Sequence, residues 1–233
     1  MAAEPIIEFD RVSFAFSEEA PLFEGVCLAL LPGTFYLVTG PSGAGKSTLL
    51  RLINRLEEPT AGQVRFLGRP LADHEPPVLR RSILSVQQTP TALDASVRDN
   101  LLLPFSFAAN RALERPDDDA LRHKLGRVLL PDVQLDDHAQ TLSVGQLQRL
   151  CFVRGLLLQP QVMLLDEPTS ALDQESSAAV LELVRRIFAE TGMTTVMVSH
   201  QNRTPPGIDP VVLEVRDRTV REAASAATPA APS

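Results

Sequence analysis

The chain has 233 residues, a formal net charge of −7, 44% hydrophobic and 22% charged residues. That length suits one α/β domain, or a domain with a sizeable insertion, and the composition is that of a globular protein with a real core, which excludes wholesale disorder. The acidic balance excludes a general nucleic-acid binder, which needs a basic footprint to neutralise phosphates, so no nucleic acid is expected among the partners.

In chain order, short apolar or β-branched runs at Ile6–Phe9, Val12–Phe16, Val26–Leu31 and Phe35–Thr39 predict strands, some separated by turn signals such as Pro32-Gly33. A Gly-rich turn follows, then a helical pattern with Leu49, Leu52, Ile53 and Leu56 on one face, closed by Pro59. Further strands are predicted at Gly62–Gly68 and Ile83–Val86. From about residue 90 to 159 the pattern turns mostly helical, and Asp117, Asp118 and Asp119 open one of these helices where acidic residues suit the N-terminal dipole. Strand and helix then return: a buried strand at Val162–Asp166, a helix at Gln174–Glu190, a buried strand at Thr194–Ser199 and a last hairpin at Val211–Val215 and Thr219–Val220. The Ala/Pro-rich segment 223–233 has no apolar periodicity and is expected to be a disordered tail. The layout is one α/β domain over residues 1–222 with a helical insertion.

No apolar run approaches the roughly 20 residues that a membrane-spanning helix requires. The N-terminal residues lack a basic region followed by an apolar stretch, so no secretory signal is expected and the chain reads as cytoplasmic. Cys27 and Cys151 stand alone, with no CxxC and no His at metal spacing, and read as buried free thiols of a reducing compartment. The pairs Arg80–Arg81 and Arg185–Arg186 read as solvated helix faces. Of 22 Lys+Arg, only Lys46 and Lys124 are lysines, so a lysine inside a motif is informative here.

Gly40, Pro41, Ser42, Gly43, Ala44, Gly45, Lys46, Ser47 and Thr48 follow the strand Phe35–Thr39 and open the next helix. Glycines let backbone N–H groups turn inward around a polyphosphate, and the helix N-terminus adds positive partial charge. Lys46 reaches the β- and γ-phosphates and the Ser47 hydroxyl suits Mg²⁺. This strand–loop–helix is a nucleoside triphosphate site. The apolar run Val162–Leu165 ends in Asp166 and Glu167. A strand this apolar is buried on both faces, so its terminal carboxylates emerge where ligands bind in parallel sheets. Asp166 suits a Mg²⁺ contact, and Glu167 a general base that positions the attacking water.

Together with Leu142–Gln146, Ser170–Asp173 and Val198–His200, these motifs make residues 5–221 resemble the nucleotide-binding subunit of an ATP-binding cassette (ABC) transporter. The resemblance implies a P-loop NTPase core of ABC type with an antiparallel β subdomain and a helical subdomain insertion at about 90–159. It implies ATP and Mg²⁺ as ligands, hydrolysis coupled to transport, and a head-to-tail dimer with a second copy of the chain. Phe16 falls where the family sets an aromatic ring, most often Tyr, against adenine. Gln88, next to Gln87, falls at the glutamine loop that contacts Mg²⁺ and the water.

Ser143, Gly145 and Gln146 match the signature that closes over the other copy's γ-phosphate; Ser143 and Gln146 also have the spacing of a capping box. Val144 replaces the commoner second glycine. Asp173 falls in the loop crossing the dimer interface, and His200 at the switch histidine on the γ-phosphate. The resemblance further implies an integral membrane permease on a separate chain, holding this subunit at the cytoplasmic face of the inner or plasma membrane. Leu101–Phe107 is either part of the docking surface or core of the insertion. The segment Gln88–Phe105 is similar to Fet-type iron-exporter ATPases; phosphate or other importer ATPases, and the soluble Suf-type ATPase, remain as alternatives.

Overall fold

A computed structural model describes residues 3–17, 20–199 and 203–223. Two sheets form the framework. β1 (Ile7–Phe14), β2 (Phe23–Leu30), β4 (Ala61–Phe66) and β5 (Arg69–Pro70) make a four-stranded antiparallel sheet in the order β2-β1-β4-β5. The second sheet has the order β10-β9-β3-β8-β7-β6, built from β3 (Phe35–Thr39), β6 (Ile83–Val86), β7 (Val162–Asp166), β8 (Thr194–Val198), β9 (Val211–Arg216) and β10 (Thr219–Glu222). It is parallel from β6 to β9, and β10 returns antiparallel on β9.

Strand alternation in the second sheet divides the apolar residues between two cores. Tyr36, Val38, Leu164, Val196 and Val198 face one core, shared with α1 (Lys46–Ile53) and the antiparallel sheet. Phe35, Leu37, Met163, Leu165 and Met197 face the other, covered by helices. Burial on both faces is why β3, β7 and β8 read as continuous apolar runs. Each fully buried Val or Leu contributes about 1.5–3 kcal/mol.

Between β6 and β7 the chain is helical: α3 (Val97–Ser106), α4 (Asp118–Arg127) and α5 (Val144–Leu156). Asp117 caps α4 by accepting from the Ala120 amide at 2.8 Å, and Asp118 pairs with Arg98, which holds its carboxyl below the usual range. α6 (Gln174–Thr191) joins β7 to β8 and covers the second core.

Several elements differ from the sequence reading. The two predicted N-terminal strands are one, β1, with register shifts around Asp10–Ser13 and Arg11 at φ 50°. α1 begins at Lys46, directly out of the loop, and stops at Ile53, where Asn54 and the left-handed Arg55 turn the chain. α2 (Pro76–Ser82) is a helix the sequence reading did not contain, because Pro76-Pro77 reads as a turn although proline suits the first helical position. Cys27 is exposed, on the outward alternation of β2, and Cys151 is only partly buried, so neither thiol sits in the core as expected. The expected tail lies, beyond Ala223, outside the described residues.

Candidate nucleotide site

The loop after β3 owes its shape to its glycines. Gly40 has φ 143° and lies so close to β9 that a Cβ there would come 2.3 Å from the Val215 carbonyl oxygen. Gly45 has φ 103°, and a Cβ there would meet the Phe23 ring at 2.8 Å. Larger residues are excluded at both positions by backbone conformation and by space. The loop delivers Lys46 into a nearly enclosed position, 5% exposed, where Nζ donates to the carbonyls of Gly40 (3.0 Å) and Pro41 (2.9 Å). An ammonium has three donors, so its charge is held at the loop with one N–H uncommitted by these bonds.

One position on, Ser47 Oγ donates to Asp166 Oδ1 at 3.0 Å. Ser47 opens α1 and Asp166 ends β7, so two motifs far apart in sequence meet at the carboxyl edge of the parallel sheet. Gln87, Gln88 and Thr89 line the same cleft, of about 220 Å³, with Ser47 and Asp166. A hydroxyl, a carboxylate and an amide oxygen are the hard oxygen donors that Mg²⁺ takes, with phosphate and water completing its shell. Among the described residues no cluster of three His, Cys, Asp or Glu is placed to hold a metal.

Glu167 stands beyond the strand with φ 49°, a left-handed backbone that a non-glycine residue adopts at some cost. Its N–H donates to the Val198 carbonyl at 3.2 Å, tying the turn to β8. Glu167 lines a second cavity, of about 390 Å³, with Ser170, Val198 and Ser199. His200, the next residue after Ser199, lies outside the described residues.

Phe16 is 67% exposed and its ring meets Phe14 edge to face at 4.8 Å. Phe14 pairs with Phe23, whose ring abuts Gly45, so this aromatic run ends at the phosphate loop.

The signature residues form a separate group. Ser143 caps α5: the Gln146 N–H donates to Ser143 Oγ at 3.3 Å, and the Ser143 N–H to Gln146 Oε1 at 2.9 Å. Val144 is half exposed beside them. Gly145 lies against α6, where a Cβ would come 2.9 Å from Ser176 Oγ. Ser176 in turn donates from both N–H and Oγ to Asp173, each at 2.8 Å, and these bonds hold the Asp173 carboxyl below its usual range. Ser143, Gln146 and Asp173 thus stand together around the buried Gly145, and none of the four lines the cleft of Ser47, Gln88 and Asp166. Sequence reasoning missed Gln148, which is buried one turn into α5 and donates to the Gln87 carbonyl. Its polarity in an apolar helix face was the available signal.

The family model for ABC transporters matches residues 23–170. The probable iron export ATP-binding protein FetA of Escherichia coli (strain K12) is 35% identical over 196 residues, 84% of this chain and 85% of that protein. The ABC-type transporter kk1G of Curvularia clavata is 34% identical over 202 residues, and there the chain spans only 15% of the relative's length. Among solved structures, cbiO1 from Clostridium perfringens, part of the ABC transporter complex cbiONQ, has the same fold: TM-score 0.76 at 24% identity, covering 94% of this chain and 87% of that one. The phosphate loop and strand-end carboxylates of this chain stand on the fold these proteins share, and the chain belongs to the ABC transporter family as an ATP-binding domain.

Proposed function

We propose that the chain binds ATP with Mg²⁺, hydrolyses it as a head-to-tail dimer, and so drives a separate integral membrane permease. The observation that carries this reading is the 3.0 Å bond between Ser47 and Asp166, which joins the phosphate loop to the strand-end carboxylates beside the enclosed Lys46. In this reading the loop amides from Ser42 to Thr48 and the N-terminus of α1 cradle the phosphates, and Lys46 neutralises the β- and γ-oxygens. Ser47, Asp166 and Gln88 hold Mg²⁺, which supplies charge stabilisation at the transferring phosphoryl group. Glu167 takes the proton of the attacking water, His200 contacts the γ-phosphate, and Phe16 stacks on adenine.

Each site is completed by the other copy. The exposed N-terminus of α5, with Ser143, Gly145 and Gln146, is an anion site that a phosphate-loop-bound nucleotide of the second copy fits. Asp173, exposed beside it, crosses the same interface. The half-exposed Val144 at this surface supports its being covered by a partner.

No helix among the described residues is long and apolar enough to cross a membrane; in this reading the spanning partner is a permease on a separate chain that holds this one at the cytoplasmic face of the inner or plasma membrane. A groove of about 560 Å³ beside the glutamine loop, lined by Leu84, Pro104, Phe107, Arg80, Arg81 and Arg154 among others, is the docking site we assign to that permease. Leu101 and Phe105 are core, whereas Phe107, 55% exposed, is the part of that stretch available for docking. Iron or another metal, exported, is the cargo proposed from the similarity to the Escherichia coli protein over most of both chains.

Glu167→Gln tests the reading. The variant is expected to keep ATP binding, lose turnover by at least ~10²-fold as removal of a general base does, and accumulate an ATP-bound dimer in size-exclusion chromatography. Turnover at the unaltered level removes Glu167 from the base role.

A further inference from the structure

One face of α5 runs along β6 and the loop that follows it. Gly155 packs so tightly that a Cβ would come 2.2 Å from Leu84 Cδ1 of β6. One turn earlier, Cys151 Sγ is 3.5 Å from the Thr91 carbonyl oxygen, and before that Gln148 Nε2 donates to the Gln87 carbonyl at 3.3 Å. Positions 148, 151 and 155 are three and four apart and share a helix face. Gln148 is 1% exposed, and its Oε1 is buried with no hydrogen-bond partner among the described residues. Turning the amide over does not cure this, because Oε1 would then face the Gln87 oxygen, acceptor against acceptor. Leucine or methionine fills such a volume without leaving an orphaned acceptor, so packing alone does not account for a glutamine.

What the Gln148 bond joins gives it a use. Gln87 and Thr89 line both the cleft that contains Ser47 and Asp166 and the groove that contains Phe107 and Arg154. The loop is therefore the wall between the two. At the N-terminus of the same helix, within a turn and a half of Gln148, stand Ser143 and Gln146.

We propose that Gln148 is a positioning residue that pins this wall to the signature helix, so that closure of the signature over a nucleotide and displacement of the wall at the groove occur as one movement. The inference rests on the ABC reading given above. The orphaned Oε1 gives the wall a second bonding arrangement: Gln88 and Thr89 make no backbone N–H bond among the described residues, and a shift that brings either N–H to Oε1 exchanges one hydrogen bond for another. A two-state element of this kind can be biased from either side.

Gln148→Met keeps the volume and removes both the donor and the orphaned acceptor; Gln148→Glu keeps the shape and removes the donor. Both are expected to lower kcat for ATP about tenfold while the Kd and KM for ATP stay within twofold, and the Met variant is expected to melt at or above the unaltered temperature. An unaltered kcat in Gln148→Met overturns the proposal, and so does a kcat loss accompanied by a matching loss of ATP affinity and melting temperature, which marks a merely structural residue. Lys46→Ala is the control that separates the two readings. If it is inactive while Gln148→Met turns over normally, only the positioning role falls; if it stays active, the ATPase reading falls.

Discussion

Lys46 shows how a single residue becomes decisive. The sequence all but dispenses with lysine, yet retains one at the loop where a narrow, flexible ammonium reaches phosphates better than arginine's planar fork. Its bonds to the Gly40 and Pro41 carbonyls hold the charge in place beforehand. A charge-assisted bond contributes roughly 1.5–3 kcal/mol, so loss of the phosphate contact open to the remaining N–H predicts that Lys46→Ala weakens ATP binding by at least ~10-fold in isothermal titration with an unaltered far-UV spectrum. Retained affinity counts against the loop as the phosphate site. Residues of this kind were legible because their chemistry is local: the glycines, the lysine and the serine are neighbours in sequence. Gln148 was not, because its meaning lies in a bond to Gln87, a residue on another element. Cys27 misled for a related reason, since apolar neighbours on a strand alternate and say nothing about which face a given residue takes.

Elements were legible where burial is two-sided or periodic. β3, β7 and β8 announce themselves as unbroken apolar runs, and α6 by its apolar stripe of Val180, Leu183, Val184 and Ile187 with Asp173 as cap and Gly192 as stop. They failed to show where a local signal has two readings, as with Pro76-Pro77 at α2, or where a bulge interrupts alternation, as at Arg11 in β1. α6 also carries a pH-dependent contribution. Glu182 accepts from Arg185 and Arg186, and these hydrogen bonds lower its pKa to about 2 from 4.5. A carboxylate depressed by folding stabilises the native state fully above its unfolded pKa and ceases to do so as pH falls through its folded one. Glu182→Gln should therefore melt slightly below the unaltered chain from pH 7 to 5, with the gap shrinking under pH 4.5 and closing near 2. The gap is small because the pairs are exposed, and a gap that is the same at pH 6 and pH 3 contradicts the assignment.

At the scale of the whole molecule, charge is unevenly placed. The chain is acidic, and Arg55, Arg65, Arg98, Arg122, Arg185 and Arg218 each pair with a carboxylate. Arg80, Arg81 and Arg154 converge on the groove beside the glutamine loop, and among the described residues none of them pairs with a carboxylate. Their hydrogen-bond partners are neutral: Arg80 donates to the Asn54 and Arg55 carbonyls, Arg81 to Ala109 and Asn110, Arg154 to Cys151. With Phe107 exposed and Leu84 and Leu158 in the same lining, the groove offers an apolar floor under a basic rim. If the proposed permease docks there, the segment that fits is amphipathic, with apolar anchors and carboxylates, since complementary charge sets register and speeds encounter. Arg81→Glu with Arg154→Glu should abolish co-purification with the permease while the Kd for ATP stays within twofold, because neither residue lines the nucleotide cleft. Complex formation by the unaltered chain should also weaken as salt rises. If the double variant still co-purifies, the permease engages another surface, and the pin at Gln148 would then act on the nucleotide alone.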